Sequence, residues 1–124
     1  MKRLIINADD LGADVARNEG IIEATRAGVV TSATILPNGP ALDHALEGIR
    51  SGGFEEISFG VHLNLTEGRS LAEGLSCLTG PDGNFLGKAA AHRLLMKTGD
   101  APLQAELARE TTLQIERLLD AAGA

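Results

Sequence analysis

The sequence predicts an α/β fold built on a parallel sheet, and two observations support this prediction. Short apolar segments followed by polar or glycine residues alternate with segments that have helical spacing of apolar residues. Strands that alternate with helices in this way form parallel sheets with right-handed crossovers. The chain has 124 residues, of which 44% are apolar, so we expect one domain over residues 1–124.

The first predicted strand is the branched apolar run over residues 4–6, which would be buried in the sheet. It would deliver Asp9 and Asp10 to a loop at its C-terminal end, where parallel sheets bind ligands. Acidic residues before a helix also serve as caps. The acid pair alone therefore leaves a site and a cap equally open.

Helix and strand signals continue in order after the acid pair. Asp14 is placed to cap a helix that runs to about Ala27, and Gly28 is placed to end it. Asn18 is expected to have no special role on this helix. Residues 31–36 predict a second strand, which Pro and Gly stop, and residues 41–50 predict a second helix.

A third strand is predicted over residues 57–65, with apolar and polar residues in alternation. His62 and Asn64 share its polar face, which we expect to look into a site or a barrel interior. A lone histidine is also often a core residue bonded to backbone, so both readings of His62 stay open at this point. The remaining histidines, His44 and His92, fall in predicted helices and are expected at the surface.

The second part of the chain begins with a turn-rich segment over residues 67–87, which is typical of a functional loop. Helices are predicted over about 88–97 and 101–121. Glu106 and Arg109 are expected among the solvated charges of the last helix.

Charge and composition exclude several classes of partner. The chain has 11 basic and 17 acidic residues, a net charge of −6 without a basic stripe, so nucleic acid is not an expected partner. No apolar run reaches membrane-spanning length, and the N-terminus lacks a signal-peptide core. The single cysteine, Cys77, suits a reducing compartment. We expect a cytoplasmic protein without a membrane partner.

Asp9, Asp10 and His62 fall near the C-terminal ends of the first and third predicted strands, which meet in one sheet. Carboxylate and imidazole groups are typical ligands of a catalytic divalent metal that keeps a position open for water. One aspartate would bind the metal, and the other could accept a proton as general base.

Several motifs occur in one order along the chain: NADDLG at 7–12, NEGI at 18–21, GVVTSAT at 28–34, Asn38, and GVHLNLTEG at 60–68. Together they resemble the YdjC-like carbohydrate deacetylase family. That family includes chitooligosaccharide deacetylases and the deacetylases of hopanoid biosynthesis.

The resemblance implies a distorted (β/α) barrel that removes the acetyl group from an N-acetylated sugar with a divalent metal. Position by position, Asp9 resembles the general base of the family, and Asp10 and His62 resemble its metal ligands. Asn38 and Asn64 lie in the matching motifs and are assigned to substrate binding. The family implies Mg²⁺, whereas mixed Asp and His ligands also suit Zn²⁺.

The chain departs from the family pattern in one respect. The second metal histidine of the family lies in a motif that would follow the last helix, beyond residue 124. A complete barrel needs about 250 residues, so we expect residues 1–124 to form the N-terminal part of a barrel domain. Such a partial product is expected to bind metal weakly and to form a homo-oligomer through its open sheet edges, and its activity alone stays open.

Two alternatives remain at this stage. A receiver-type signalling domain has a similar length and an acid pair after its first strand, but it needs a phosphoacceptor Asp after the third strand, where this chain has His62. The other alternative is a metal-binding or interface remnant without catalysis.

Overall fold

The computed structural model describes residues 4–97 and 99–123. It divides into two compact units, Met1–His62 and Leu63–Ala124. The prediction of one domain over the whole chain stays a prediction. The elements in chain order are β1 (Asn7–Leu11), α1 (Val15–Arg26), β2 (Ser32–Ile35), α2 (Leu42–Arg50), β3 (Ser58–Val61), α3 (Lys88–Leu95) and α4 (Ala101–Ala122).

The first unit is a parallel three-stranded sheet in the order β1-β2-β3. Neighbours in sequence are neighbours in the sheet, as in a (β/α) barrel, whereas a flavodoxin-like sheet has its second strand at one edge. The register pairs Asn7 with Ser32, Ser32 with Ser58 and Thr34 with Gly60. The α/β prediction with parallel β/α units is therefore confirmed.

The two faces of β2 differ in polarity. Ala33 and Ile35 are 1% and 3% exposed and belong to the core of the first unit, whereas Ser32 and Thr34 on the opposite face are half-buried. Helix α2 also has a buried apolar side, formed by Leu42, Ala45 and Leu46. Since side chains alternate along a strand, β2 has one apolar and one polar face.

The prediction of a buried first strand over residues 4–6 is wrong. Leu4 and Ile5 are 77% and 79% exposed, and β1 begins only at Asn7. β1 is an edge strand that pairs with β2 alone, so branched apolar residues at its start gain no cover within the first unit. The acids consequently lie inside the strand and not in a loop after it.

The third strand is shorter than predicted. β3 ends at Val61, which pairs with Ile35, the last residue of β2, and Pro37 follows Ile35 by two residues. His62 follows directly, and its backbone N–H still donates to Ile35 O at 2.7 Å. The C-terminal end of the strand is therefore where His62 lies.

In the second unit, the turn-rich segment over residues 67–87 packs around a core of its own. This core consists of five buried apolar residues, Ala72, Leu75, Leu78, Phe85 and Leu103. Two antiparallel bridges, Arg69 with Asn84 and Thr79 with Phe85, close the segment. Its order comes from packing onto α4 as well as from local turns.

Among the described residues, no helix is both long and apolar enough to cross a bilayer. The longest, α4, begins after Asp100, whose side chain accepts a hydrogen bond from Leu103 N at 3.1 Å. Gly123 ends it in the left-handed region with φ 74°. Both ends follow the usual capping rules.

Glu106 on α4 is buried, and the prediction that it is solvated is wrong. Its Oε1 accepts from Ser76 N at 2.7 Å, and its Oε2 accepts from Cys77 N and Leu78 N at 2.9 and 3.1 Å. The turn-rich segment offers backbone N–H groups without strand partners, and a buried carboxylate is a strong acceptor for them.

At each of the next two turns of α4, a polar side chain likewise binds backbone groups of the preceding segment. Glu110 accepts from Leu71 N and Ala72 N, and Gln114 exchanges two hydrogen bonds with the backbone of Asn64. Gln114 also donates to Glu110 at 2.7 Å. The spacing of four residues places all three side chains on one buried helix face.

Burial alone would raise the pKa of the Glu106 carboxyl, but the hydrogen bonds from Ser76 and Cys77 together outweigh it and hold this pKa below its ordinary value. A carboxyl with a lowered pKa in the folded state stabilises the protein above its unfolded-state pKa. This contribution is lost as the pH falls through the folded-state pKa.

We expect Glu106→Gln to lower the free energy of unfolding by about 2–3 kcal/mol at neutral pH, because backbone donors lose a charged acceptor. Hydrogen exchange should accelerate at the amides of residues 76–78. Glu116→Gln, at an exposed position of the same helix, is the control and should change neither. The difference in free energy of unfolding between wild type and Glu106→Gln should become smaller on acidification. A difference that is constant with pH would contradict the lowered pKa of Glu106.

Candidate active site

A bulge in β1 brings the acid pair to one side of the strand. The pairing with β2 shifts register between Ala8 and Leu11, and Asp10 has φ 65°, the only positive φ outside glycine in the described chain. Consecutive side chains of a regular strand point to opposite faces. The bulge and the left-handed residue remove this constraint, so both carboxylates face the end of β3.

His62 lies between the two carboxylates. Its Nδ1 is 3.6 Å from Asp9 Oδ1, and its Nε2 is 3.5 Å from Asp10 Oδ1. The histidine side chain is 32% exposed, so the group is open to solvent and to ligands. The structure thus brings together the three residues singled out in the sequence, while their roles stay predictions.

The Asp9 carboxylate is oriented through one oxygen. Oδ1 accepts hydrogen bonds from Asn7 Nδ2 at 2.7 Å and from Thr34 Oγ1 at 2.8 Å. Within the described part of the chain, Oδ2 accepts no hydrogen bond, and the side chain is 64% exposed. One oxygen of Asp9 is therefore held in place while the other faces solvent.

Asp10 is oriented by Arg17, a residue that the sequence did not single out. Arg17 Nη1 lies 3.0 Å from Asp10 Oδ2, and its Nε lies 3.7 Å from Asp14 Oδ2. Asp14 caps α1 as predicted, through Arg17 N. The guanidinium holds Oδ2 and leaves Oδ1 directed to His62.

The Asp10 and His62 pair fits one small divalent cation. Zinc ligands lie about 2.0–2.2 Å from the ion, so two of them stand roughly 3.0–3.6 Å apart. The 3.5 Å between Asp10 Oδ1 and His62 Nε2 agrees with such a pair. Over residues 4–97 and 99–123, no group of three Asp, Glu, His or Cys side chains is arranged to hold an ion. The described residues thus offer two ligands.

Asn18 supports the site from α1, and the expectation that it has no role is wrong. It is fully buried, accepts from Gly12 N at 2.7 Å, and donates to Ala41 O at 2.9 Å. His44, which we expected at the surface, is half-buried with Nδ1 3.2 Å from Asn18 Nδ2. Asn18 thereby ties the end of β1 to the start of α2.

The two asparagines assigned to substrate binding lie in different units. Asn38 is half-buried in the turn after β2. Asn64 is in the second unit, where its Oδ1 accepts from the backbone N–H groups of Thr66 and Glu67. Its carboxamide therefore holds a turn. The geometry leaves both substrate-binding roles as predictions.

The model of the YdjC-like protein family matches residues 3–124. The chain belongs to this family. Among curated relatives, a carbohydrate deacetylase from Listeria monocytogenes is 39% identical over 120 residues, which cover 96% of this YdjC-like chain and 46% of the relative. A human carbohydrate deacetylase is 44% identical over 104 residues, which cover 82% of the chain and 31% of the relative.

A solved structure shows the same fold. The crystal structure of a protein described as a cellobiose-phosphate cleavage protein, from Enterococcus faecalis, matches with a TM-score of 0.82 and 33% identity. The match covers 98% of the YdjC-like chain and 45% of the other protein. The chain thus spans less than half the length of the relatives that it matches.

We expect Asn18→Ala in the YdjC-like chain to lower the free energy of unfolding by about 1–3 kcal/mol, because the buried N–H of Gly12 loses its acceptor. The carbonyl of Ala41 loses one of its two donors and keeps the N–H of Ala45. Denaturant unfolding measures this loss. Glu19→Ala, at the next and exposed position of α1, is the control. A loss no larger than that of the control would show that Asn18 does not hold these segments together.

Proposed function

We propose that this YdjC-like chain belongs to a metal-dependent hydrolase that removes the N-acetyl group from an N-acetylated sugar or oligosaccharide. The relatives named carbohydrate deacetylases support the reaction class. The observation that carries the proposal is the convergence of Asp9, Asp10 and His62 at the end of the parallel sheet. Two of the three are proposed to hold a metal ion, and the third is proposed as a base.

Asp10 Oδ1 and His62 Nε2 are the atoms proposed to hold a divalent cation. When bound, such an ion polarises an acetamide carbonyl and makes a water more acidic. The mixed ligand pair suits Zn²⁺, and Mg²⁺ is the ion that the family resemblance implies. Arg17 keeps the other oxygen of Asp10 occupied, which leaves a single oxygen for the ion.

Asp9 is proposed as the general base. Its Oδ2, which faces solvent, is the atom that takes the proton from the attacking water. Asn7 and Thr34 hold Oδ1 and so fix the direction of Oδ2. The same proton can pass to the amine nitrogen that leaves with the sugar, so that one amide and one water give acetate and a free amino sugar.

Asn38 and Asn64 are proposed to bind the sugar. Carboxamides supply both donors and acceptors, as sugar hydroxyl groups require. The position of Asn38 just after β2 supports its role, because ligands of parallel sheets bind at that end of the strands. For Asn64 the support is the motif alone.

The receiver-type alternative is not favoured. Its sheet would place the second strand at an edge, but β2 is central here, and β3 is followed by His62 and not by an acidic residue. We further propose a homo-oligomer in the cytoplasm. Its support is that β1 and β3 each pair on one side only within the described sheet, and that the single cysteine suits a reducing compartment.

We expect the chain to bind Zn²⁺ or Mg²⁺ in calorimetric titrations, and His62→Ala to weaken this binding by about tenfold or more, since a ligand is lost. His92→Ala, at an exposed position of α3, is the matched control and should bind as wild type does. Equal affinity in wild type and His62→Ala would contradict the metal assignment.

Catalysis is tested by acetate release from N-acetylated chitooligosaccharides, with the complete polypeptide in which residues 1–124 occur. Asp9→Asn should lower the rate by about 10²–10⁴-fold, because an amide cannot accept the proton. Asp43→Asn, exposed on α2, is the control. A wild-type protein that binds metal without acetate release would favour the non-catalytic remnant, and full activity of Asp9→Asn would refute its role as base.

A further inference from the structure

We propose that Thr34 is a positioning residue that fixes the proton of neutral His62 on Nδ1 and so directs the lone pair of Nε2 toward Asp10. Thr34 lies on β2, between the strand that carries the acids and the strand that ends just before His62. It was not among the residues singled out from the sequence. The contribution of Thr34 to metal binding rests on the proposed function. The position of the proton on His62 is independent of that proposal.

The argument starts from the number of protons. Thr34 Oγ1 is 2.8 Å from Asp9 Oδ1 and 2.9 Å from His62 Nδ1. A hydroxyl has one proton to donate, and an ionised carboxylate can only accept. Thr34 therefore donates to Asp9, and its oxygen has to accept the second hydrogen bond from an N–H at His62 Nδ1.

A direct bond between His62 and Asp9 does not compete with this path. His62 Nδ1 is 3.6 Å from Asp9 Oδ1, beyond hydrogen-bond distance. Thr34 thus links the carboxylate of Asp9 to the imidazole ring. The carboxylate fixes the direction in which the hydroxyl donates, and the oxygen of the hydroxyl then favours the tautomer with the proton on Nδ1. A histidine that binds a metal through one nitrogen usually donates the N–H of its other nitrogen to an acceptor of this kind, which fixes the orientation of the ring.

Asn7 donates a second hydrogen bond to the same oxygen of Asp9. Ser32 Oγ donates to Asn7 Oδ1 at 2.6 Å, which leaves the Asn7 amide group to donate to Asp9 Oδ1 at 2.7 Å. Asp9 Oδ1 therefore receives two donors, so Thr34 has a fixed acceptor. Because side chains alternate along strands, the paired positions Asn7 and Ser32 lie on the same polar face as Thr34.

The consequence concerns the gap between His62 and Asp10. With the proton on Nδ1, neutral His62 presents a lone pair at Nε2 to Asp10 Oδ1, 3.5 Å away. Two electron-rich atoms at this distance repel each other unless a positive charge lies between them. The tautomer set by Thr34 therefore prepares this gap for a cation.

The test uses protein labelled with ¹⁵N in histidine and kept free of metal, at a pH where His62 is neutral. Two-bond ¹H–¹⁵N spectra distinguish the two tautomers. We expect wild-type His62 to carry its proton on Nδ1, and Thr34→Val, which keeps the shape without the hydroxyl, to move the proton to Nε2. Thr34→Ser restores the hydroxyl and should restore the wild-type spectrum.

Thr31→Val is the matched control, because the Thr31 hydroxyl binds the backbone of Ile6 and not the site. It should leave the His62 signals unchanged. Zn²⁺ titration should show a loss of affinity of about 10–100-fold for Thr34→Val and none for Thr34→Ser. Wild-type His62 with its proton on Nε2, or a Thr34→Val spectrum equal to that of wild type, would overturn the proposal.

The outcome separates this inference from the proposed function. If the tautomer shifts as expected and Zn²⁺ affinity falls, but the complete polypeptide releases no acetate, the deacetylase proposal fails and the role of Thr34 stands. The opposite outcome is that wild type releases acetate, Asp9→Asn does not, and wild-type His62 carries its proton on Nε2. In that case the proposed reaction stands and the proposed role of Thr34 is wrong.

Discussion

The bulge at Asp10 is the constraint on which the site depends. A regular strand would turn one carboxylate of the pair to the opposite face of the sheet, and only one would meet His62. Asp tolerates the left-handed region better than most residues, and at φ 65° it lets the strand gain the extra residue. Two consecutive acids can then approach the two nitrogens of one imidazole, one at each side.

The parts around the bulge hold it in place. Gly12, directly after β1, donates its N–H to the buried Asn18, and its φ of 104° is one that a side chain would disfavour. A Cβ on Gly39 would collide with the backbone oxygen of Gly12, so the absence of a side chain at Gly39 allows the two segments to come this close. Thus the turn after β1 is fixed by a buried amide and by close backbone packing.

Both units use buried polar side chains where regular structure ends. Asn18 in the first unit, and Glu106 and Glu110 in the second, bind backbone N–H groups that lack partners in a sheet or helix. Burying such groups without a hydrogen bond would be costly, so a small fold with short strands needs these side chains. Sequence patterns that equate charge with exposure miss them, which is why Glu106 was expected in solvent.

The sequence predicted the order of the elements well and their limits less well. Helical spacing, Asp14 and Gly28 located α1, and the motifs located Asp9, Asp10 and His62. The exposed residues 4–6 and the early end of β3 could not be predicted, because they depend on which strands have neighbours. The bulge, and with it the contacts of Thr34 and Arg17, follows from backbone geometry that no local pattern encodes.

The most direct test of the central claim is a crystal structure of the protein soaked in Zn²⁺, measured at the anomalous edge of zinc. We expect one anomalous peak between Asp10 and His62, about 2.0–2.2 Å from Asp10 Oδ1 and His62 Nε2. A zinc ion bound elsewhere with this gap empty, or side chains of Asp10 and His62 that point away from each other, would contradict the account.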